Sequence, residues 1–169
     1  DRGLLSYDGK VSTYWPEFAA AGKGDITVAQ LLSHQAGLYS VDGPITVDEA
    51  LHWDTITARL AAQKPLWEPG TTHGYHALTY GWIASEIVRR VDGRSIGTFV
   101  REEIATPLGL DLHIGAPESV IPRIAKTVRS DDYNYTALIG DEVEAGTITY
   151  WFTRPLPRRS ATRQRASRW

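Results

Sequence analysis

Cysteine and methionine are both absent from the 169 residues of this chain. Without cysteine the chain has no disulfide framework, no thiolate nucleophile and no zinc or iron–sulfur site built on thiolates. Because the chain begins at Asp1 without an initiator methionine, we expect it to be processed or an internal piece of a longer protein. Long apolar runs are absent too, and none approaches the roughly 20 residues of a membrane span. The first residues lack the apolar stretch of a signal peptide, which favours a cytoplasmic location.

Positive charge is scarce outside the last residues. Residues 154–169 contain six arginines and no acidic residue, whereas residues 1–153 contain twelve basic and twenty acidic residues. We therefore predict one domain over 1–153 and a disordered, Arg-rich tail over 154–169. An acidic body cannot neutralise phosphates, so we expect no nucleic-acid partner. The length and the hydrophobic fraction of 42% fit a single domain with a real core.

Two capping boxes predict where short helices begin. Thr27-Val28-Ala29-Gln30 has a threonine at the N-cap and a glutamine three residues later, which predicts a helix ending before Gly37. Thr46-Val47-Asp48-Glu49 repeats the device and predicts one helix that continues until just before Pro65. The inward positions predicted for this second helix are Val47, Ala50, Leu51, Ile56 and Leu60.

A longer helix is predicted from about residue 77 to residue 91. Asp92-Gly93 is expected to end it, and Ser95 is expected to cap a further helix that stops before Pro107. The apolar stripe predicted for the longer helix comprises Leu78, Trp82, Ile83, Ile87 and Val88. The buried positions predicted for the helix after Ser95 are Ile96, Phe99, Val100 and Ile104.

Two serines stand in patterns that also occur at catalytic sites. Gly93-Arg94-Ser95-Ile96-Gly97 matches the G-x-S-x-G pattern of a nucleophile elbow, which needs a strand before the serine. Because a helix is predicted before Ser95, we interpret it as an N-cap and keep the elbow as the alternative. Ser33 is followed directly by His34, and adjacent helical residues point about 100° apart, so these two side chains cannot easily hydrogen-bond to each other. We therefore interpret the pair as a helix end that positions a loop and keep a functional Ser-His pair as the alternative.

Two histidines lie three residues apart in His73-Gly74-Tyr75-His76. A zinc site needs three or four converging ligands, and His34, His52 and His113 are scattered along the chain. We therefore expect no metal and no other cofactor. Our interpretation of each histidine is a local hydrogen-bonding role, with metal binding as the alternative.

Three segments together resemble the superfamily of serine β-lactamases and penicillin-binding proteins, and within it class C β-lactamases and family VIII carboxylesterases. Residues 27–38, TVAQLLSHQAGL, resemble the T-x-x-x-L-L-x-H-x-S-G-L segment of that superfamily. Residues 69–77, PGTTHGYHA, resemble its P-G-x-x-x-x-Y-x-N segment. Residues 80–110 resemble its helix pair ending in P-L-G-[ML]. The resemblance covers about residues 1–127.

The resemblance implies an acyl-enzyme serine hydrolase. In that family the serine of S-x-x-K attacks a carbonyl carbon, and the lysine and the tyrosine of Y-x-N share the proton transfers. The resemblance assigns the tyrosine role, general base and general acid, to Tyr75, and places His76 and Ala77 in the substrate-binding positions of the same motif. The substrate expected for the intact relative is a small ester, with a β-lactam or D-amino-acid amide as the less favoured class.

The departures from the family pattern concern the nucleophile and the motif after Tyr75. No serine is followed three residues later by lysine, so the nucleophile is expected just before residue 1. Ala77 replaces the asparagine of Y-x-N, which favours esters over lactams. The late K-T-G strand is missing as well. We expect an α+β fold of the β-lactamase/transpeptidase type, represented here mainly by its helical part with few or no core strands.

Without its nucleophile segment, the chain is expected to be inactive by itself. The alternative function is a non-catalytic helical binding or regulatory fragment whose Arg-rich tail contacts an acidic partner. A salt-dependent interaction that is lost on deleting residues 154–169 would favour that alternative. The sequence makes no prediction about an oligomer.

Overall fold

A computed structural model describes residues 2–126 of the chain, and the predicted Arg-rich tail lies outside them. The described residues contain six α-helices and no β-strand, apart from an isolated antiparallel bridge between Lys10 and Thr27. The α+β class therefore stays a prediction. The helices are α1 (Val11–Tyr14), α2 (Val28–Leu32), α3 (Val47–Leu51), α4 (Trp53–Ala62), α5 (Thr79–Asp92) and α6 (Ile96–Val100).

Shorter turns of other helix types complete the described part. A 3-10 segment covers Pro16–Gly22, and α6 runs directly into a π-helical turn at Arg101–Ala105. Residues up to Gly115 form one compact unit. A second unit begins at Ala116, and its described residues hold a 3-10 turn at Ile121–Arg123. No helix in this described part of the chain is long and apolar enough to cross a membrane.

Both predicted capping boxes are present. The Thr27 amide donates to Gln30 Oε1 at 2.9 Å, and the Gln30 amide donates to Thr27 Oγ1 at 3.1 Å. The Thr46 amide donates to Glu49 Oε2 at 2.8 Å, and the Glu49 amide donates to Thr46 Oγ1 at 3.2 Å. Each pair satisfies two backbone amide donors at the helix start, which explains why the helices begin at these residues.

The prediction of a single helix after Thr46 is wrong, because the helix is interrupted at His52. His52 has extended backbone angles, φ −92° and ψ 102°, and separates α3 from α4. Its ring hydrogen-bonds to the Thr55 hydroxyl at 2.8 Å in the first turn of α4. The break reorients the chain, so that Leu51 is exposed instead of inward while Ile56 and Leu60 are buried as predicted.

Helix α5 follows the predicted stripe except at its start. Trp82, Ile83 and Ile87 are buried, and Gly93 ends the helix in the left-handed conformation at φ 88°. Leu78 is 69% exposed because it precedes the first turn, where the helical period does not yet apply. After Ser95, Val100 is buried as predicted whereas Ile104 is exposed.

A buried carboxylate holds α5 against its neighbours. The Glu86 side chain is fully buried and accepts hydrogen bonds from Trp53 Nε1 at 2.7 Å, Arg89 Nε at 2.8 Å and Arg90 Nε at 2.7 Å. Burial by itself raises the pKa of Glu86, but these three donors outweigh burial and hold the pKa below its usual range. The network therefore fixes α5 relative to α4.

The hydrophobic core is built from α1, α2, α4, α5 and the segments that join them. Its side chains come from widely separated parts of the sequence, so burying them fixes the relative positions of the helices. The buried core residues are Val11, Trp15, Phe18, Ile26, Val28, Leu31, Ala36, Leu38, Ile56, Leu60, Ala61, Trp82, Ile83 and Ile87.

Candidate active site

Tyr75 lies in the segment that leads into α5. Its side chain is 70% exposed, and no group among residues 2–126 hydrogen-bonds to its phenol oxygen. The segment is joined to the helix by the Tyr80 amide, which donates to the His76 carbonyl at 3.1 Å. The phenol is thus presented to solvent from a position fixed close to the first turn of α5.

His76, in contrast to Tyr75, is buried and only 1% exposed. Its Nε2 accepts the Leu38 amide hydrogen at 3.0 Å, and its Nδ1 donates to the Gly74 carbonyl at 2.5 Å. Burial lowers the pKa of His76, against a smaller raising effect of the bond to Gly74, so the neutral ring is favoured. Both ring nitrogens are occupied by the backbone of this chain.

His34 contacts the same segment through its backbone and its ring. Its backbone has φ 63°, in the left-handed region that non-glycine residues seldom adopt. Its Nδ1 accepts the His76 amide hydrogen at 3.2 Å, and its carbonyl accepts the Gly74 amide hydrogen at 3.1 Å. Its ring centroid lies 5.3 Å from that of Tyr75 and 4.7 Å from that of Tyr80. Sequence reasoning did not assign His34 this role.

An aromatic wall formed by Tyr39 and Trp67 supports the segment. The two rings stack with centroids 5.6 Å apart, and Trp67 meets the His76 ring edge-on at 6.2 Å. A Cβ atom at Gly74 would lie 2.8 Å from the Trp67 Cη2 atom, so the close packing of the indole requires glycine here. Packing therefore reinforces the hydrogen bonds that hold the Tyr75 segment.

The arrangement can present a phenol for proton transfer. Tyr75 is accessible and its neighbours on both sides are held, whereas any contribution of His76 to substrate binding would be indirect because its ring is committed. Ala77 is half-buried and contributes only a methyl group. The catalytic role of Tyr75 and the substrate-binding roles of His76 and Ala77 stay predictions.

Both serine motifs have structural roles. Ser95 Oγ accepts the Thr98 amide hydrogen at 3.1 Å as the N-cap of α6, and helix α5 precedes it. The strand that an elbow needs is not there, which agrees with the N-cap interpretation. Ser33 Oγ donates to the Ala29 carbonyl at 2.7 Å at the end of α2, which agrees with a helix end.

The two closely spaced histidines do not converge. His73 is exposed, whereas His76 is buried against the backbone. Among residues 2–126, no group of three or more histidine, aspartate or glutamate side chains is placed to hold a metal ion. The local hydrogen bonds of His76 match the interpretation of this histidine as a backbone partner.

Comparison with known proteins gives consistent matches. The model of the Beta-lactamase family matches residues 1–149. The esterase/beta-lactamase LipL of Mycobacterium tuberculosis is 40% identical over 141 residues, which cover 82% of this chain and 32% of LipL. A crystal structure of a penicillin-binding-protein homologue from Caulobacter crescentus superposes with a TM-score of 0.74 at 50% identity, covering 76% of this chain and 35% of that one. A family VIII carboxylesterase gives 0.73 at 48% identity, covering 76% and 36%. The chain thus spans about a third of the length of these relatives.

Proposed function

The chain belongs to the Beta-lactamase family, and on that premise we propose that it is the tyrosine-bearing segment of a serine hydrolase that cleaves small esters through an acyl-enzyme. The observation that carries this proposal is the accessible Tyr75 phenol on a segment held at both neighbouring residues. Exposure lets the phenol meet a substrate or a nucleophile. The held backbone limits where the phenol oxygen can move, which is what proton transfer in a fixed geometry needs.

The proposed chemistry follows from the phenol itself. A free tyrosine has a pKa near 10, and an ammonium group beside it favours the phenolate. A phenolate can accept the proton of an attacking serine, and the resulting phenol can return a proton to the leaving alkoxide. Because the 169 residues contain no S-x-x-K, the serine and the lysine would be supplied by residues outside this sequence.

Ala77 supports esters as the substrate class. A methyl group two residues after Tyr75 can neither donate to nor accept from an amide, so it offers no hydrogen bond that would select an amide or a lactam over an ester. The names of two relatives, an esterase/beta-lactamase and a carboxylesterase, also refer to ester cleavage. On this basis we infer p-nitrophenyl butyrate as a suitable probe and nitrocefin as the poorer one.

The test compares the 169-residue chain with a longer protein in which a segment bearing S-x-x-K completes it. The chain alone is expected to give neither a burst nor turnover with p-nitrophenyl butyrate. In the longer protein, Tyr75→Phe is expected to lower kcat/KM by about 10²-fold or more, because it removes the proton-transferring oxygen. Tyr7→Phe is the matched control, since Tyr7 is 68% exposed.

Two outcomes would overturn the proposal. Turnover by the chain alone would show that the nucleophile is not supplied from outside. An unchanged kcat/KM in the Tyr75→Phe protein would remove the role of the phenol and favour a non-catalytic binding fragment.

A further inference from the structure

We propose that His34 is a positioning residue for Tyr75: it holds the backbone amides on both sides of the tyrosine and thereby sets where the phenol projects. The inference rests on the proposed function, because the phenol that His34 positions is the one assigned to proton transfer. His34 itself touches neither serine nor substrate in this assignment.

The backbone of His34 makes the first contact with the Tyr75 segment. At φ 63° its carbonyl is turned to accept the Gly74 amide hydrogen at 3.1 Å. Left-handed backbone is unfavourable for a residue with a Cβ atom, and it persists where the surrounding structure over-determines it. Such conformations concentrate at functional sites, and here the unfavourable residue faces the segment that carries Tyr75.

The His34 imidazole makes the second contact with the segment. Its Nδ1 accepts the His76 amide hydrogen at 3.2 Å, so His34 bonds the amides at positions 74 and 76 with two different acceptors. An imidazolium has no acceptor, so this bond requires Nδ1 to be unprotonated. The two bonds span Tyr75, whose own backbone lies between them.

Ring packing brings His34 against the tyrosine side chain as well. The His34 ring meets the Tyr75 ring edge-on, with centroids 5.3 Å apart and planes at 63°. The His34 ring also contacts the Tyr80 ring, with centroids 4.7 Å apart, and the His76 ring, with centroids 5.4 Å apart. His34 therefore limits the rotation of the tyrosine ring as well as the position of its backbone.

A set of three variants separates these contributions. His34→Asn keeps an acceptor, because Oδ1 of asparagine and Nδ1 of histidine are both bonded to Cγ, and asparagine tolerates left-handed backbone. His34→Gly keeps the backbone conformation and the carbonyl but loses the side-chain acceptor. His34→Ala loses the acceptor and disfavours the backbone conformation.

The first measurement is amide hydrogen exchange by NMR in the 169-residue chain. In His34→Gly, exchange of the His76 amide is expected to accelerate about fivefold or more, while the Gly74 amide keeps its protection. His34→Asn is expected to keep both amides within about twofold of the parent chain. Because general destabilisation would accelerate both amides together, the Gly74 amide is the internal reference.

The matched control is His73→Asn, which removes an exposed histidine from the same segment and is expected to change neither amide. The proposal is overturned if the His76 amide keeps its protection in His34→Gly, or if the asparagine and glycine variants behave alike. If His34→Ala fails to fold, the comparison of asparagine with glycine still decides the outcome.

The second measurement is kinetic, on the longer protein. His34→Gly is expected to lower kcat about tenfold or more with little change in KM, and His34→Asn to restore kcat. Accelerated exchange with unchanged kcat would overturn the positioning role while leaving the role of Tyr75 intact. If Tyr75→Phe has no kinetic effect, the proposed function fails, and amide exchange still reports whether His34 holds the segment.

Discussion

The Nε2 atom of His76 accepts the amide hydrogen of Leu38 at 3.0 Å. Leu38 belongs to the segment after α2, and His76 immediately follows the candidate catalytic tyrosine. Leu38 is fully buried, so this one bond satisfies a backbone donor that water cannot reach. The bond therefore connects the stability of the fold to the position of the candidate site.

Replacing the buried histidine at position 76 should weaken the fold and change its pH dependence. His76→Leu leaves the Leu38 amide without its acceptor and is expected to lower the free energy of unfolding by about 1–3 kcal/mol at pH 7.5. Burial lowers the pKa of His76 below its ordinary value of 6.5, so around and below that pH the unfolded chain binds more protons than the folded chain. The parent chain should therefore lose stability as the pH falls from 7.5 to 5, and the variant should lose less.

Urea unfolding at a series of pH values measures this difference, and His73→Leu reports the effect of removing an exposed imidazole from the same segment. Parallel pH profiles for the parent chain and His76→Leu would contradict the prediction.

Among the charged residues of α5, Glu86 should be the one whose substitution destabilises the fold most. Glu86→Gln removes the charge to which three residues, Trp53, Arg89 and Arg90, donate, and is expected to lower the free energy of unfolding by about 2–3 kcal/mol. Because its pKa is held below the usual range, the stabilisation is present above about pH 4.5 and is lost as the pH falls through the folded value. Thermal unfolding at pH 7 and pH 3 measures both effects.

Glu17→Gln is the matched control, since Glu17 pairs with Arg90 from an exposed position and its removal should have little effect. Equal destabilisation by the two glutamine variants would contradict the assignment of the network to Glu86.

A methyl group at Gly74 should disturb the candidate site, whereas the same change at Gly81 should not. In Gly74→Ala the new Cβ meets the Trp67 ring, and we expect destabilisation of about 1–3 kcal/mol. In Gly81→Ala no atom lies within 4 Å of the new Cβ on helix α5, and we expect stabilisation of about 0.5–1 kcal/mol. Tryptophan fluorescence during denaturant unfolding reports both, and stabilisation by Gly74→Ala would contradict the packing described for Trp67.

Lys23 should make the chain more stable at alkaline pH. Its side chain is buried and donates to the carbonyls of Ala20 and Gln63, and burial lowers its pKa to about 8 from 10.5. Between these values the unfolded chain binds more protons, so the contribution of Lys23 to the free energy of unfolding rises with pH. The free energy of unfolding of the parent chain minus that of Lys23→Met should therefore increase from pH 8 to pH 10. A value that stays constant over this range would contradict the prediction.

Local chemistry explains which parts of the fold could be predicted from the sequence. Thr27, Thr46 and Ser95 act through hydrogen bonds within one helical turn, and their caps are confirmed. The break at His52 carries no glycine or proline signal, and α4 instead begins where Trp53 reaches Glu86, 33 residues further along the chain. Such a choice depends on tertiary packing that a helical period does not encode.

The candidate site shows the same division. The resemblance singled out Tyr75, and the structure gives it an accessible side chain. The contacts of His34 with Gly74 and His76 could not be predicted, because a non-glycine residue at φ 63° leaves no pattern in the sequence. The close approach of Trp67 to Gly74 likewise exists only once the chain has folded.

The hydrogen bonds around Tyr75 use the main chain at positions 74 and 76, and the phenol itself projects into solvent. Because these hydrogen bonds do not involve the Tyr75 side chain, a series of fluorinated tyrosines could replace it while the bonds at positions 74 and 76 are kept. The acidity of the hydroxyl group could then be varied stepwise while its position in the molecule stays the same.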